Sequence, residues 1–349
     1  MISKRHAITV CIPAYNRANF LPELLDSIFN QQFSDFNVLI CEDHSPERPL
    51  IKKIAHEYAE RYPGQLEYKE NKSNLGYDGN IRELIACSSG EYCLFMGNDD
   101  VMCEGALSQI SSIIERVPNS GVIVRSYATF EEDPLVHEQV FRYFAEELVV
   151  QGGIQAVSLG FRRSVVIPGM VFHRDSAFAL SSDEFDGTLL YQLYLSGMML
   201  TKRSAIFTPE IIALRRNGTP PDFGNSEAEK GKFVPQDQTS ESSIHFMEGM
   251  LAIARYVELK SQISVFKPIL ADISRYSLPI LAIQANKPFL EFFKYGIHLG
   301  KLGLWRSPLF HAYFLSLILF GPGLIDKVIK LIKNKIGHTP FLGNASRKN

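Results

Sequence analysis

Cysteine is scarce in this 349-residue chain. Its five copies, Cys11, Cys41, Cys87, Cys93 and Cys103, fall in the first third, an odd number without Cys-x-x-Cys spacing. That excludes a disulfide scaffold and fits a reducing cytosol. Three of them sit in apolar runs, where cysteine packs as a small hydrophobe. Charge of one sign is also missing. With 36 basic and 38 acidic residues the formal charge is −2, which excludes a generally basic nucleic-acid binder. No internal repeat is present, and the opening MISKRHAITVCIPAYN runs into a strand-like stretch rather than a secretory leader. Hydrophobic residues at 46% and charged residues at 21% exclude disorder. A chain of this length divides into roughly two domains and buries a core that needs no staple.

The near-zero total hides an asymmetry. From Lys287 to Asn349 ten Lys or Arg face two acids, Glu291 and Asp326, a balance of +8, so the preceding 286 residues carry −10. A basic, aromatic-rich tail on an acidic body predicts contact with something anionic, a membrane surface first of all. Within the tail, Pro308–Ile325 offers 18 residues of mostly apolar character, broken by His311 and by Gly321-Pro322-Gly323. A spanning helix needs about 20 apolar residues. Monotopic attachment therefore fits better, with the lysines of DKVIKLIKNK meeting anionic lipid. A helical subdomain packing on the core or on a second copy is the alternative.

The first half alternates strand and helix patterns. Apolar runs at Ala7–Pro13, Phe36–Cys41 and Glu91–Met96, with a weaker one at Leu66–Tyr68 and another at Gly121–Arg125, are separated by helical spacing at Ala18–Asn30, Pro49–Arg61, Tyr77–Cys87 and Glu104–Val117. Such alternation predicts an α/β fold, a mostly parallel sheet with helices on both faces. Ligands of these sheets bind beyond the carboxyl ends of the strands. The middle of the chain is less regular, with apolar runs at Val165–Phe172 and Ile206–Leu214 and a helix over Gly187–Met199. Arg216–Ser243 reads as a long Gly, Pro and polar loop, either a lid or a surface insertion. Helical material follows from Ile244 onward.

Four polar segments stand at or near strand ends. Pro13-Ala14-Tyr15-Asn16-Arg17 offers a ring to stack on a base and a guanidinium to pair with phosphate, or an ordinary turn. Glu42-Asp43-His44-Ser45 offers a carboxylate that could accept from a base imide or ribose hydroxyl, or a helix cap. Asn74-Leu75-Gly76-Tyr77-Asp78-Gly79-Asn80 permits close approach of a ligand and equally marks a turn. Gly97-Asn98-Asp99-Asp100 ends an apolar strand with two adjacent carboxylates. Their repulsion calls for a nearby cation, and their oxygen chemistry suits Mg²⁺ or Mn²⁺; capping of the next helix is the alternative.

Together these segments resemble the family 2 glycosyltransferases, inverting enzymes with the GT-A fold. ITVCIPAYNR is similar to that family's opening strand, CEDHS to its Asp-Asp-Gly-Ser segment and NLGYDGN to its Asn-x-Gly turn. SGEYCLFMGNDDVMCEGAL resembles its metal-binding strand and following helix, in the form found in bacterial O-antigen transferases of the abequosyltransferase-like kind. The resemblance is strong over residues 6–125, fainter to 217 and absent beyond. It implies a GT-A domain over 1–217, with a nucleotide and metal half (1–125) and an acceptor half (126–217). A flexible loop (218–243) and a helical, basic, membrane-associated region (244–349) would follow.

By this resemblance Tyr15 lies against the nucleotide base, Asp43 binds the base imide and Asp99 lies near the ribose or sugar, with Pro13, Arg17, Asn74 and Asn80 completing the donor site. Asp100 is the implied ligand of Mg²⁺ or Mn²⁺. Gly97 stands where the family has the first acid of its Asp-x-Asp segment, so the diphosphate must supply more of the metal's shell. The family places its catalytic base before a helix in the second half, which points to Asp186, then Glu184 and Asp183. The usual Glu-Asp pair is not plain there, because LLYQL occupies nearby positions. The implied activity is metal-dependent hexosyl or deoxyhexosyl transfer from an NDP-sugar to a polyprenyl-diphosphate-linked glycan in surface-polysaccharide assembly. The protein would lie peripherally on the cytoplasmic face of the inner membrane. A soluble or protein acceptor, or a catalytically dead nucleotide-binding scaffold, are the other readings. A sugar nucleotidyltransferase would need a Gly-rich basic loop after the first strand, which PAYNRANF lacks.

Overall fold

The computed structural model describes residues 6–340 and 342. Its first half follows the alternation read from the sequence: β1 (Ile8–Ala14), α1 (Leu21–Phe29), β2 (Phe36–Glu42), α2 (Arg48–Arg61), β3 (Leu66–Glu70), α3 (Gly76–Cys87) and β4 (Tyr92–Phe95). The short β5 (Val101–Met102), α4 (Ala106–Arg116) and β6 (Val122–Phe130) come next. Then come β7 (Gln139–Phe141), β8 (Leu148–Val150), α5 (Ile154–Arg163), β9 (Val171–His173), α6 (Arg174–Phe178), α7 (Tyr191–Met199) and β10 (Ala205–Arg216). Among the described residues five α-helices follow: α8 (Ser240–Ser261), α9 (Phe266–Arg275), α10 (Leu278–Ala282), α11 (Phe289–Lys301) and α12 (Pro308–Ile336).

The ten strands form one mixed sheet ordered β3-β2-β1-β4-β9-β6-β10-β5, with β7 on β6 and β8 on β10. The strands β3, β2, β1 and β4 run parallel, as do β6 and β10, while β9 pairs antiparallel with both β4 and β6. The central strands are apolar on both faces because helices cover both. One apolar layer joins α1, α2 and α4 to the sheet through Leu24, Ile28, Ile51 and Ile110. The other joins α3, α5, α7 and α8 through Leu84, Phe161, Leu195 and Ala254. In α1 the residues Leu21, Leu24, Leu25 and Ile28 recur at the spacing of one helical face, and all four are buried.

Two local differences from the sequence reading have physical causes. Strand β6 runs on to Phe130 instead of stopping at Arg125. Arg125 is buried inside it, donating to the carbonyls of Val166 and Pro168 and lying over the Tyr127 ring. The helix expected from Gly187 begins at Tyr191, because residues 187–190 form a turn gripped from outside. In the tail, Gly321 takes φ +71 ahead of Pro322 and kinks α12, at the Gly321-Pro322-Gly323 interruption read from the sequence. Among the described residues no helix is long and apolar enough to cross a membrane. Much of α11 and the start of α12 belongs to the core, through Phe292, Tyr295, Leu299, Phe310 and Phe314. Gly296 makes room there, since a Cβ on it would lie 2.2 Å from the Phe314 ring.

Candidate active site

The carboxyl ends of β1, β2 and β4 lie side by side, as the parallel register Ala14↔Glu42 and Cys11↔Phe95 requires. After β1 the chain turns sharply, with Asn16 at φ +53 and Arg17 at φ +59. Left-handed backbone at such residues costs roughly 1 kcal/mol each and needs support from its surroundings. Asn98 supplies some, donating from Nδ2 to the Asn16 carbonyl at 2.7 Å. Arg17 then reaches Asp99, its Nη1 donating to Oδ2 at 2.5 Å, and the Pro220 carbonyl at 2.8 Å. Tyr15 and Pro13 are half-buried beside it.

After β2, Glu42 closes the turn by accepting from the N–H groups of His44 (3.0 Å) and Ser45 (2.7 Å) and from Arg48. Asp43 is left to line the site. Its Oδ1 accepts from Asn71 Nδ2 at 2.8 Å and from the Leu75 N–H at 2.9 Å. Burial pushes its carboxyl up to about 6, against the opposing pull of those donors. The NLGYDGN segment serves this carboxylate from behind. Asn80 donates to the Cys41 carbonyl and accepts from Asn71, and Asn74 accepts from the Gly76 N–H.

After β4, Asp100 is buried, with Oδ2 accepting from the Gly97 N–H (3.1 Å) and Oδ1 from the Arg216 N–H (3.0 Å). Burial and then the adjacent Asp99 carboxylate raise its pKa. A Cβ at position 97 would lie 2.5 Å from Asp100 Oδ2, which accounts for glycine where the resembled family has an acid. Arg216, at the end of β10, arrives because Leu214 pairs with Val101. Its guanidinium lies between the rings of Phe20 and Phe130, 4.4 Å from each, and donates to the Asp99 and Glu131 carbonyls and to Glu23. The acid pair thus combines hard oxygen donors with a buried carboxyl that a cation would stabilise, and that fits a divalent metal. Among the described residues no three His, Cys, Asp or Glu side chains converge, so such an ion would take most of its shell from phosphate and water.

The acids of the 182–186 segment sit differently. Both oxygens of Asp186 accept from Arg82, at 2.6 and 2.7 Å, and Arg82 also donates to the Ser182 carbonyl. Glu184 and Asp183 are exposed. One turn before Arg82 on α3 lies Asp78, fully buried. Its Oδ2 accepts from the N–H groups of Gly187, Thr188 and Leu189, and its Oδ1 from Tyr191 at 2.8 Å. Burial pushes this carboxyl up to about 7 while the Leu189 and Tyr191 N–H groups pull it down. Asp78, Arg82, Asn71 and Arg216 escaped the sequence reading. Nothing marks a helix acid, or an arginine closing an apolar run, as a partner of residues a hundred positions away.

The ten-stranded mixed sheet flanked by helices, with buried carboxylates at the carboxyl ends of its parallel strands, is a GT-A fold. Residues 9–180 match the family model described as Glycosyl transferase family 2, and that stretch of the chain is a family 2 glycosyltransferase domain. The abequosyltransferase RfbV of Salmonella typhimurium is 30% identical over 108 residues, 31% of this chain and 32% of that protein. The GalNAc(5)-diNAcBac-PP-undecaprenol beta-1,3-glucosyltransferase of Campylobacter jejuni is 28% identical over 106 residues, 30% of this chain and 33% of its own. The matches thus span about a third of these relatives' length. Among solved structures, S. aureus TarS 1-349 in complex with UDP-GlcNAc superposes with a TM-score of 0.59 at 16% identity, over 98% of this chain and 95% of that one. The mannosyltransferase PcManGT from Pyrobaculum calidifontis, in complex with GDP-Man and Mn²⁺, gives 0.51 at 17%, over 93% and 89%. Both likenesses are of fold.

Proposed function

We propose that this protein is an inverting glycosyltransferase that moves a sugar from an NDP-sugar to a polyprenyl-diphosphate-linked glycan in bacterial surface-polysaccharide assembly. The observation that carries the reading is the convergence of Asp43, Arg17, Asp99 and Asp100 at adjacent strand ends. Asp43 is buried deeply enough to discriminate a base by hydrogen bonding, with the Tyr15 ring against the base face. Arg17 exchanges Asp99 for a donor phosphate, and Asp99 turns to the ribose. A Mg²⁺ or Mn²⁺ ion at Asp100 would neutralise the charge that builds on the diphosphate leaving group. The acceptor hydroxyl loses its proton as it attacks, and the 182–186 segment offers the carboxylate to take it. Asp186 must exchange Arg82 for that role, while Glu184 faces solvent two residues earlier. The glucosyltransferase relative whose name includes a PP-undecaprenol acceptor supports the lipid-linked class.

Contact with the cytoplasmic face of the membrane belongs to the same reading. Beyond its kink α12 exposes Leu324, Val328, Leu331 and Ile332 at one-face spacing, interspersed with Lys327, Lys330 and Lys335. A groove of about 290 Å³ on α11, lined by Phe293, Lys294, Ile297, His298 and Lys301, repeats the mixture. Apolar side chains beside lysines suit an anionic bilayer.

Thermal unfolding of the purified protein with UDP, dTDP, GDP or CDP, each with and without Mn²⁺, tests the catalytic reading. The expected result is stabilisation by one nucleotide, dependent on metal and lost in Asp100→Ala. Absence of any shift in the folded protein would remove the transferase reading.

A further inference from the structure

Residues 217–239, expected as a loop, run across the candidate donor site as a strap, and they bring acids into it. Thr219 donates from Oγ1 to Asp99 at 3.3 Å, the Pro220 carbonyl accepts from Arg17, and Asp222 lies 3.8 Å from Arg17 Nε. The Phe223 ring meets Tyr77 edge-on at 5.8 Å. Glu229 is buried, accepting from the Tyr77 N–H at the first turn of α3 (2.8 Å) and from the Gly224 N–H (2.9 Å). Two glycines from opposite sides of the cleft leave space for it. A Cβ on Gly76 would lie 2.4 Å from Ser226 Oγ and 2.7 Å from Glu229 Oε1, and one on Gly187 would lie 2.0 Å from the Ala228 carbonyl. The 226–229 turn is therefore wedged between the base-side turn of α3 and the 182–191 segment.

The chemistry of these contacts matters more than their number. Arg17, the guanidinium placed to meet a donor phosphate, already faces two carboxylates, Asp99 and Asp222. The first turn of α3, where exposed N–H groups favour an anion, already holds Glu229. We propose that the strap is an autoinhibitory latch, in which Asp222 and Glu229 occupy positions facing an anionic nucleotide diphosphate and must leave for the donor to enter. This inference rests on the donor-site reading above. The negative charge of Glu229 also adds to the burial that raises Asp43, so opening the strap would return Asp43 toward the ionised form that accepts from a base. If the strap is open in about a tenth of molecules, it weakens apparent nucleotide affinity about tenfold.

The test compares wild type with Glu229→Gln and Asp222→Asn, using UDP, dTDP, GDP and CDP with Mn²⁺ in calorimetry and limited proteolysis across residues 217–239. The expected result is faster strap cleavage in the variants and nucleotide binding tightened about fivefold to tenfold. A gain in affinity is not an outcome that damage to a binding site produces. Binding that is equal or weaker in both variants while strap cleavage rises would overturn the latch and leave the donor site standing, and so would unchanged cleavage in both. Failure of all four nucleotides to bind even the opened variants would overturn the donor-site reading and the latch together.

Discussion

In the sheet body a set of carboxylates lies inside. Glu42, Asp43, Asp78, Asp99 and Asp100 are all buried, and each accepts hydrogen bonds from N–H groups or guanidinium donors. Along the second half of α12 the arrangement is reversed. Leu324 is 53% exposed and Leu331 64%, with Lys327 and Lys330 close by along the helix. A buried carboxylate costs several kcal/mol of desolvation unless it is compensated, so a cluster of them is retained where function needs it. An apolar helical face left in water is explained by what covers it. The body buries charge that its own donors compensate, and the end of α12 leaves apolar side chains in water.

The contrast breaks most readily at Asp78. Substituting alanine leaves the N–H groups of Gly187, Thr188, Leu189 and Tyr191 without an acceptor in a buried site. Stability should fall by on the order of 3–5 kcal/mol, read as a lower urea midpoint. An unchanged midpoint would mean that the 187–191 turn holds itself. At the other end of the chain, Leu324→Glu with Leu331→Glu should leave thermal stability within about 0.5 kcal/mol, since both side chains are exposed. The same pair should reduce co-sedimentation with phosphatidylglycerol vesicles about tenfold or more. Equal sedimentation of wild type and variant would give the exposed face to another partner.

The smallest effect concerns pH. Asp43 carries a carboxyl raised to about 6 from an ordinary value near 3.8. If the ionised form is what accepts from a base imide, nucleotide affinity should drop about fourfold between pH 7.5 and pH 5.5. Because the folded value lies above the unfolded one, this group's contribution to stability is present below about pH 4 and is lost as pH rises through about 6. Asp43→Asn should flatten both dependences. A pH-independent affinity in wild type would show that Asp43 stays ionised throughout or makes no contact with the base.

The parts legible in the sequence are those where neighbours in the chain are neighbours in space. The apolar runs of β1, β2 and β4, the helical spacing of α1 and the positions of Asp43, Asp99 and Asp100 at strand ends follow from local pattern. What the pattern concealed depends on distant partners. Arg216 meets Asp100 across 116 positions, Asp78 meets Gly187 across 109, and Glu229 meets Tyr77 across 152. Each looks like surface charge in its own window. The 126–150 segment was opaque because β7 and β8 are three residues each and take their register from β6 and β10. Asp186 was readable as an acid ahead of a helix, and its capture by Arg82 was not.

The grip of α3 on residues 182–191 has a bearing on inheritance. Asp78 and Arg82, coded early, fix the backbone and side chains of residues 182–191, coded late. Recombination between relatives at a crossover near the middle of the chain would separate lock from key. A chimera that imports a new second half should therefore fold only if it brings its own α3 with it. That couples change in the 182–191 segment to a helix lying inside the most recognisable stretch of the sequence.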